Sequence, residues 1–147
     1  MAEIRPIADI RDKWTRVTPG RTEDYKIGVQ HPRRGERLVV VEDLGTAALA
    51  TSGDYEQFFE LDGRRYHHLL DPATGYPAEG AVSATAWAAS AMDADLLATA
   101  FFVMGPEAAV SWAEAEPGVE ALVFYERHGQ LLHAASSGLQ GRMQMPE

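Results

Sequence analysis

Residues 90–106 read SAMDADLLATAFFVMGP, and this stretch carries the strongest structural signals in the chain. Ser90 and Asp93 have the spacing of a capping box, in which a hydroxyl and a carboxylate satisfy free N–H groups at the start of a helix. Gly105 suits the left-handed position that follows a helix, and Pro106 is favoured at the first position of a helix. The sequence therefore predicts two consecutive helices that meet at this Gly-Pro pair.

Large apolar residues indicate which face of the first helix is buried. Leu97, Phe101 and Met104 recur at helical spacing and predict a stripe that packs against the core. The second helix is predicted to continue to about Glu116, because Pro117-Gly118 breaks the helical pattern.

Short apolar or alternating segments predict strands on both sides of the helices. Their ranges are 25–30, 38–41, 47–51, 55–61, 65–70, 82–88, 119–125 and 131–135. Asp62-Gly63 is favoured in tight hairpins because both central residues adopt positive φ, and residues 127–129 (Arg-His-Gly) predict a second hairpin. Several strands and two consecutive helices indicate an α+β fold, with an antiparallel or mixed sheet and both helices packed on one face.

The composition is typical of one globular domain and excludes several classes of protein. A chain of 147 residues has the length of a single domain, which is predicted to span 1–147 with residues 1–20 irregular or weakly helical. A net charge of −9 argues against nucleic acid as a partner, and the basic residues at 11–16 and 33–34 are interpreted as solvated surface. The absence of cysteine excludes disulfides, zinc–thiolate sites and thiol nucleophiles.

No segment of the sequence is predicted to enter a membrane. The longest apolar stretch, residues 96–104, is too short to span a bilayer. The first residues (MAEIRP) carry charges and a proline where a secretory signal has an apolar core, and no cysteine is present to carry a lipid. A cytoplasmic location without a membrane partner is the expectation.

Asp95 and Thr99 are one helical turn apart, so their side-chain oxygens project from the same face of the first helix. A carboxylate and a hydroxyl are hard oxygen ligands that suit magnesium, which fills its other positions with water and phosphate. Asp93 is the competing carboxylate, but its capping role already accounts for it. The structural alternative, which spacing alone favours, is that Thr99 bonds the carbonyl of residue 95 while the carboxylate is solvated.

Two adjacent histidines lie in the predicted strand 65–70, where successive side chains point to opposite faces. His67 and His68 therefore do not chelate one metal ion together, and one is expected to meet solvent while the other meets a cleft or the core. A histidine in a cleft accepts a proton from an attacking hydroxyl near neutral pH. From the residues alone, a purely structural histidine is the favoured interpretation.

Thr51 ends the predicted strand 47–51, and Ser52 and Gly53 begin the turn that follows it. Such a segment lets backbone N–H groups approach a flat ring or an anion closely. The alternative is an ordinary turn at the end of a strand. The segment matches neither the Walker A phosphate loop nor the dinucleotide fingerprint, and Ser52 lacks the glycine spacing of a hydrolase nucleophile.

Taken in order, three segments resemble successive motifs of the ApbE family of FAD:protein FMN transferases. Residues 48–56 (ALATSGDYE) resemble its small-residue flavin-site strand, and residues 65–77 (RYHHLLDPATGYP) resemble its histidine, aspartate-proline and threonine-glycine motif. Residues 91–100 (AMDADLLATA) resemble its magnesium helix. The resemblance runs from about residue 20 to about residue 140 and corresponds to the C-terminal half of a family member.

The resemblance implies an enzyme that binds FAD with Mg²⁺ and transfers the FMN moiety to a threonine or serine hydroxyl of a target protein, releasing AMP. Asp95 and Thr99 fall on the positions of the family's metal ligands. His68 falls on the motif histidine, whose implied role is to activate or position the acceptor hydroxyl. Leu69 and residues 51–53 would line the flavin site.

The resemblance also implies partners. An acceptor flavoprotein is the substrate, and either a chain that supplies the family's N-terminal half or a second copy in a homo-oligomer would complete the site. In family members that half provides much of the adenine pocket and a further metal contact. Ile7-Ala8-Asp9 stands where the family's glycine pair is expected. Two alternatives stay open: a flavin- and magnesium-binding module without turnover, and hydrolysis of the FAD pyrophosphate to FMN and AMP.

Overall fold

The structure is a computed structural model that describes residues 15–16, 27–34, 37–41 and 47–144. Within these ranges the strands are β1 Thr15–Arg16, β2 Ile27–Gln30, β3 Arg37–Val41, β4 Ala48–Gly53, β5 Phe58–Leu61, β6 Arg64–His67, β7 Ser83–Ala88, β8 Glu120–Arg127, β9 Gln130–Ala135 and β10 Met143–Gln144. The helices are α1 Ala91–Met104 and α2 Pro106–Ala115, and a short 3₁₀ turn spans Ser137–Leu139. None of the described helices is long and apolar enough to cross a bilayer.

The strands form three antiparallel sheets. The largest has five strands in the order β1-β4-β7-β8-β9, a second has the order β10-β3-β2, and β5 and β6 form a separate hairpin. Helix α1 packs across β4 and β7, and α2 packs across β8 and β9. The predicted α+β fold with two consecutive helices on one face of the sheet is therefore confirmed.

Both faces of the five-stranded sheet are covered, which explains why β7 is buried along its whole length. Alternate residues of β7 point to opposite faces. Ala84, Ala86 and Ala88 belong to the core under the helices, while Trp87 belongs to a second core. That second core contains Ile27 and other residues packed on the far side of the sheet. The core under the helices consists largely of alanine, with Phe101 and Phe102 as its largest side chains.

The buried face of α1 differs from the predicted stripe. Its fully buried residues are Ala94, Ala98, Phe101 and Phe102. Leu97 is half-buried and packs against the core, whereas Met104 is 40% exposed, so the prediction was right for Leu97 and Phe101 and wrong for Met104. Met104 lies about 120° around the helix from Ala98, outside the arc that faces the sheet. The alanines define that arc because they fit the small side chains of the strands.

Both predicted hairpin turns have the backbone that their sequences require. Asp62 and Gly63 have φ values of 52° and 75°, and His128 and Gly129 have 54° and 73°. Positive φ at both central residues matches the right-handed twist of the paired strands. The hairpins β5–β6 and β8–β9 are therefore determined locally by their turns.

The capping prediction at Ser90 is confirmed, and the difference is that the Asp93 carboxylate binds the Ser90 hydroxyl. Ser90 Oγ accepts a hydrogen bond from the N–H of Asp93 at 3.1 Å, and the same hydroxyl donates to Asp93 Oδ2 at 2.6 Å.

Near the start of the chain, Thr15–Arg16 pairs with β4, although the sequence predicts segment 1–20 to be irregular or weakly helical. The other residues of that segment, and the predicted strand start at 25–26, lie outside the described residues.

Candidate flavin and metal site

Helix α1 brings one predicted site segment into contact with another. Because α1 crosses β4, the hydroxyl of Thr99 lies 3.1 Å from the hydroxyl of Ser52, and either oxygen can be the donor. Within the described residues, no hydrogen bond joins the Thr99 side chain to the carbonyl of Asp95. The structural alternative for Thr99, a bond back to its own helix, is therefore not what the structure contains.

Asp95 lies one turn before Thr99 on the same side of α1 and is half-buried. Its carboxylate has no hydrogen-bond or ion-pair partner within the part of the chain that the structure describes. The same residues contain no cluster of three or more histidine, aspartate or glutamate side chains able to hold a metal. A partner-free carboxylate beside a hydroxyl suits magnesium, which takes few protein ligands and keeps water and phosphate.

Strand β4 presents its two hydroxyls to opposite faces of the sheet. Ser52 faces α1, whereas Thr51 Oγ1 lies 2.8 Å from Thr85 Oγ1 on the neighbouring strand. The structure therefore does not bring the Thr51 side chain to Thr99. Thr51 would contribute backbone atoms to a site on the helix side.

Gly53 is in close contact with the ring of Tyr55. A Cβ at Gly53 would lie 2.5 Å from Cε1 of Tyr55, which is closer than real side-chain contacts allow. Burial raises the pKa of Tyr55 to about 12, so its hydroxyl stays neutral. A side chain at this position would therefore have to displace the Tyr55 ring.

His68 follows β6 and is exposed, as expected for one of the two adjacent histidines. Its backbone N–H donates to the carbonyl of Gln57 at 3.1 Å, and its Nδ1 lies 3.3 Å from the same oxygen. Leu69 is buried in the core under the helices, and its carbonyl accepts a hydrogen bond from the N–H of Ala78 at 2.9 Å. The backbone around His68 is thus held on both sides.

The segment after Leu69 is a turn stabilised by Asp71. Asp71 Oδ1 accepts the N–H of Ala73 at 2.8 Å, and its backbone carbonyl accepts the N–H of Gly75 at 2.8 Å. The N–H of Asp71 donates to the carbonyl of Tyr76 at 2.8 Å. These bonds explain the Asp-Pro and Thr-Gly parts of the motif, because they close the loop behind the histidines.

His67 points the opposite way from His68 and meets α1. Its ring lies edge-on to Phe102, with ring centroids 5.3 Å apart and an interplanar angle of 80°. Its Nδ1 is buried without a hydrogen-bond partner among the described residues, and burial lowers the pKa of the ring. His67 therefore joins the β5–β6 hairpin to the helix that carries Asp95 and Thr99.

Acidification is expected to destabilise the protein through His67. Because burial lowers its pKa in the folded state, the unfolded state takes up this proton first as the pH falls. The stabilisation is complete above the unfolded pKa of about 6.5 and is lost as the pH falls towards the lower folded value. His67→Phe should therefore lose less melting temperature than wild type between about pH 7 and about pH 5. Circular dichroism measures the melting temperatures, and His68→Gln, a change at the neighbouring exposed histidine, is the control. Equal losses of melting temperature in wild type and His67→Phe would contradict the prediction.

The role of Arg33 differs from the solvated surface that the sequence predicts for it. Arg33 Nη1 and Nη2 donate to the two carboxylate oxygens of Asp54 at 2.6 and 2.8 Å, and Nε donates to Glu126 at 2.8 Å. The hydrogen bond to Asp54 raises the pKa of Arg33. Arg34, its neighbour, is exposed as predicted. The sequence signal for this ion pair was Asp54, because a carboxylate directly after a buried strand needs a cation. Its partner Arg33 is 21 residues away, so the sequence does not identify it.

Comparison with known proteins identifies the family of this chain. The family model described as the ApbE family matches residues 15–123, which include the segments 48–56, 65–77 and 91–100. The chain belongs to the ApbE family. An FAD:protein FMN transferase from Treponema pallidum is 41% identical over 104 residues, 69% of this chain and 29% of that protein. An FAD:protein FMN transferase from Vibrio cholerae is 40% identical over 115 residues, 77% of this chain and 34% of that protein.

The fold is also that of solved ApbE proteins. The crystal structure of the ApbE protein from Thermotoga maritima superposes with a TM-score of 0.69 at 39% identity, over 82% of this chain and 38% of that one. The chain thus matches between 29% and 38% of the length of these three relatives. It corresponds to one part of an ApbE protein.

Proposed function

We propose that this chain is the part of an FAD:protein FMN transferase that holds the flavin diphosphate and its magnesium ion. In this reaction FMN passes from FAD to a threonine or serine hydroxyl of an acceptor protein. The acceptor oxygen forms a bond to the phosphorus of the FMN phosphate, and the bond from that phosphorus to the bridging oxygen breaks. AMP leaves with that electron pair, and the proton of the acceptor hydroxyl passes to a base.

The contact between Ser52 and Thr99 carries the proposal. It joins the strand end proposed to bind flavin to the helix proposed to bind magnesium, with 3.1 Å between the two hydroxyl oxygens. The residues are 47 positions apart, so local structure alone does not produce the contact. Membership of the ApbE family and the names of the relatives support the class of reaction.

Asp95 and Thr99 are proposed to hold the magnesium ion. Bound there, the ion would stabilise negative charge on the phosphate oxygens as the FMN group is transferred. Asp95 supplies a carboxylate that has no competing partner among the described residues. Thr99 supplies a neutral oxygen, and when its proton is donated to Ser52 its lone pairs remain available to a ligand.

His68 is proposed to activate or position the acceptor hydroxyl. With a proton on Nδ1, that nitrogen donates to the carbonyl of Gln57, and Nε2 remains an acceptor. The exposed ring is accessible to a side chain from another protein. Ser52, Gly53 and Leu69 are proposed to contribute to the flavin site from the strand and loop beside it.

A second chain, or a second copy of this one, is proposed to complete the flavin pocket. The support is the length of the match, since the chain corresponds to about a third of each named transferase, 29% and 34%. The adenine side of FAD would be bound by that partner, while this chain holds the diphosphate.

Transfer is tested by incubating the chain with FAD, Mg²⁺, an acceptor protein and the remaining part of the Vibrio cholerae transferase supplied as a separate polypeptide. The expected result is a flavin-fluorescent acceptor band on a denaturing gel, absent when EDTA replaces Mg²⁺. The intact Vibrio cholerae transferase is the positive control. No band from the mixture, when the intact relative labels the acceptor, would contradict transfer.

Binding is tested on the chain alone by thermal denaturation with FAD and Mg²⁺. At a ligand concentration one hundred times Kd, binding to the folded state adds about 2.7 kcal/mol to the free energy of unfolding. Stabilisation of the chain alone, combined with no release of AMP in the complete transfer mixture, would select the binding module over the enzyme. AMP without protein-bound flavin would select hydrolysis of the pyrophosphate, with water in place of the acceptor.

A further inference from the structure

Four segments of the chain meet around the ion pair of Arg33 and Asp54. Arg33 belongs to the turn after β2, and it binds Asp54 at the end of β4 and Glu126 near the end of β8. Arg65 of β6 reaches the same site, with its Nη1 3.6 Å from Asp54 Oδ1. The junction therefore links three separate sheets, although Arg33 itself is partly exposed.

Asp54 is held through both its backbone and its side chain. Its residue is 7% exposed, and its N–H donates to the carbonyl of Val82 at 3.1 Å. A carboxylate this far from water is strongly unfavourable without a cation, and of its two cations Arg33 makes the paired hydrogen bonds while Arg65 lies 3.6 Å away. Gly53 precedes it and the ring of Tyr55 covers that glycine. Fixing Asp54 therefore fixes the end of the proposed flavin segment.

Arg65 extends the junction to the hairpin that carries the histidines. Besides Asp54, its guanidinium binds Glu60 at 3.3 Å and lies over the ring of Phe58, 4.2 Å from the ring centroid. Arg65 is three residues before His68. The carboxylate of Asp54 thus lies between two cations, Arg33 in the turn after β2 and Arg65 on the β5–β6 hairpin.

We propose that Arg33 is a positioning residue that, by holding Asp54, sets the placement of Gly53 and of the His68 hairpin relative to α1. The inference rests on the proposed function, because it is that proposal which makes these segments a flavin site. A bidentate pair suits this role since two parallel hydrogen bonds fix orientation as well as distance. Lysine would keep the charge but lose the paired geometry.

The test compares Arg33→Gln and Arg33→Lys with Arg34→Gln, a matched change at the next, exposed residue. Two quantities are measured: amide hydrogen exchange in the ligand-free protein, and the Kd for FAD with Mg²⁺ from flavin fluorescence. Arg33→Gln should speed exchange at the N–H groups of Asp54 and His68 and raise Kd, each by roughly tenfold, because hydrogen bonds to charged groups are lost. Arg33→Lys should fall between, and Arg34→Gln should stay within about twofold of wild type.

The amide of Ala109 in α2, which donates to the carbonyl of Gly105 at 3.0 Å, reports general destabilisation. Equal acceleration at Ala109 in Arg33→Gln would overturn the inference, because the effect would then be merely structural. Unchanged exchange at Asp54 and His68, or faster exchange with unchanged FAD affinity, would also overturn it. If wild type itself does not bind FAD, the proposed function fails, while local exchange still decides whether Arg33 positions these segments.

Discussion

Asp95→Ala is expected to abolish the magnesium dependence of FAD binding and of FMN transfer. The substitution removes the only charged oxygen ligand that the proposed pair contributes, and the hydroxyl of Thr99 alone does not hold a divalent ion against water. The fold should survive, because the carboxylate of Asp95 makes no hydrogen bond or ion pair within the described residues. The measurement is the affinity for FAD at increasing Mg²⁺ concentration. This affinity should rise with Mg²⁺ in wild type and stay constant in Asp95→Ala.

Asp93→Ala is the matched control on the same helix. Asp93 binds the hydroxyl of Ser90 at the helix start, so its loss should cost about 1 kcal/mol of stability and leave the magnesium response intact. Urea denaturation of both variants separates the two effects. If Asp93→Ala removes the magnesium response and Asp95→Ala lowers only stability, the metal has been assigned to the wrong carboxylate.

Phe102→Ala should cause a larger loss of stability than any of the substitutions at His67, Arg33, Asp93 or Asp95. Phe102 is completely buried between α1 and the sheet, and truncation of a buried phenylalanine costs about 3–5 kcal/mol through lost burial and the remaining cavity. The same ring supports the edge of His67, so the β5–β6 hairpin should loosen as well. Urea denaturation measures the first effect, and amide exchange at His68 measures the second.

Leu96→Ala provides the comparison for Phe102→Ala. Leu96 is on the same helix but 63% exposed, so its truncation should change stability by less than about 0.5 kcal/mol. A loss at Leu96 as large as that at Phe102 would mean that the buried face of α1 is not the one that the structure contains.

Local signals in the sequence account for most of the secondary structure. The turns at Asp62-Gly63 and at residues 128–129 determine two hairpins, because their backbone conformation is set by the residues themselves. The cap at Ser90 sets the start of α1, and the Gly105-Pro106 pair sets the end of α1 and the start of α2, because these residues favour the backbone found at helix ends. Predicted and observed helix ends therefore agree closely, with the second helix ending at Ala115.

Contacts between distant segments were not predictable from one sequence. The pair of Arg33 and Asp54 has no local pattern, because the two residues are brought together only when separate sheets assemble. Met104 lies outside the core despite its size, because the buried arc of α1 is centred on Ala94, Ala98, Phe101 and Phe102. Resemblance to the ApbE family selects Ser52 and Thr99 as site residues, but their mutual contact depends on the fold.

The alternation of side chains between the two faces of β4 restricts where residues can be inserted or deleted in this protein. Ser52 meets α1 only because it is in phase with Ala48 and Ala50, which lie under the same helix. Inserting or deleting one residue inside the strand would turn Ser52 away and offer the helix a neighbour from the opposite face. Insertions and deletions compatible with this hydroxyl pair are therefore confined to the connecting segments outside residues 48–53.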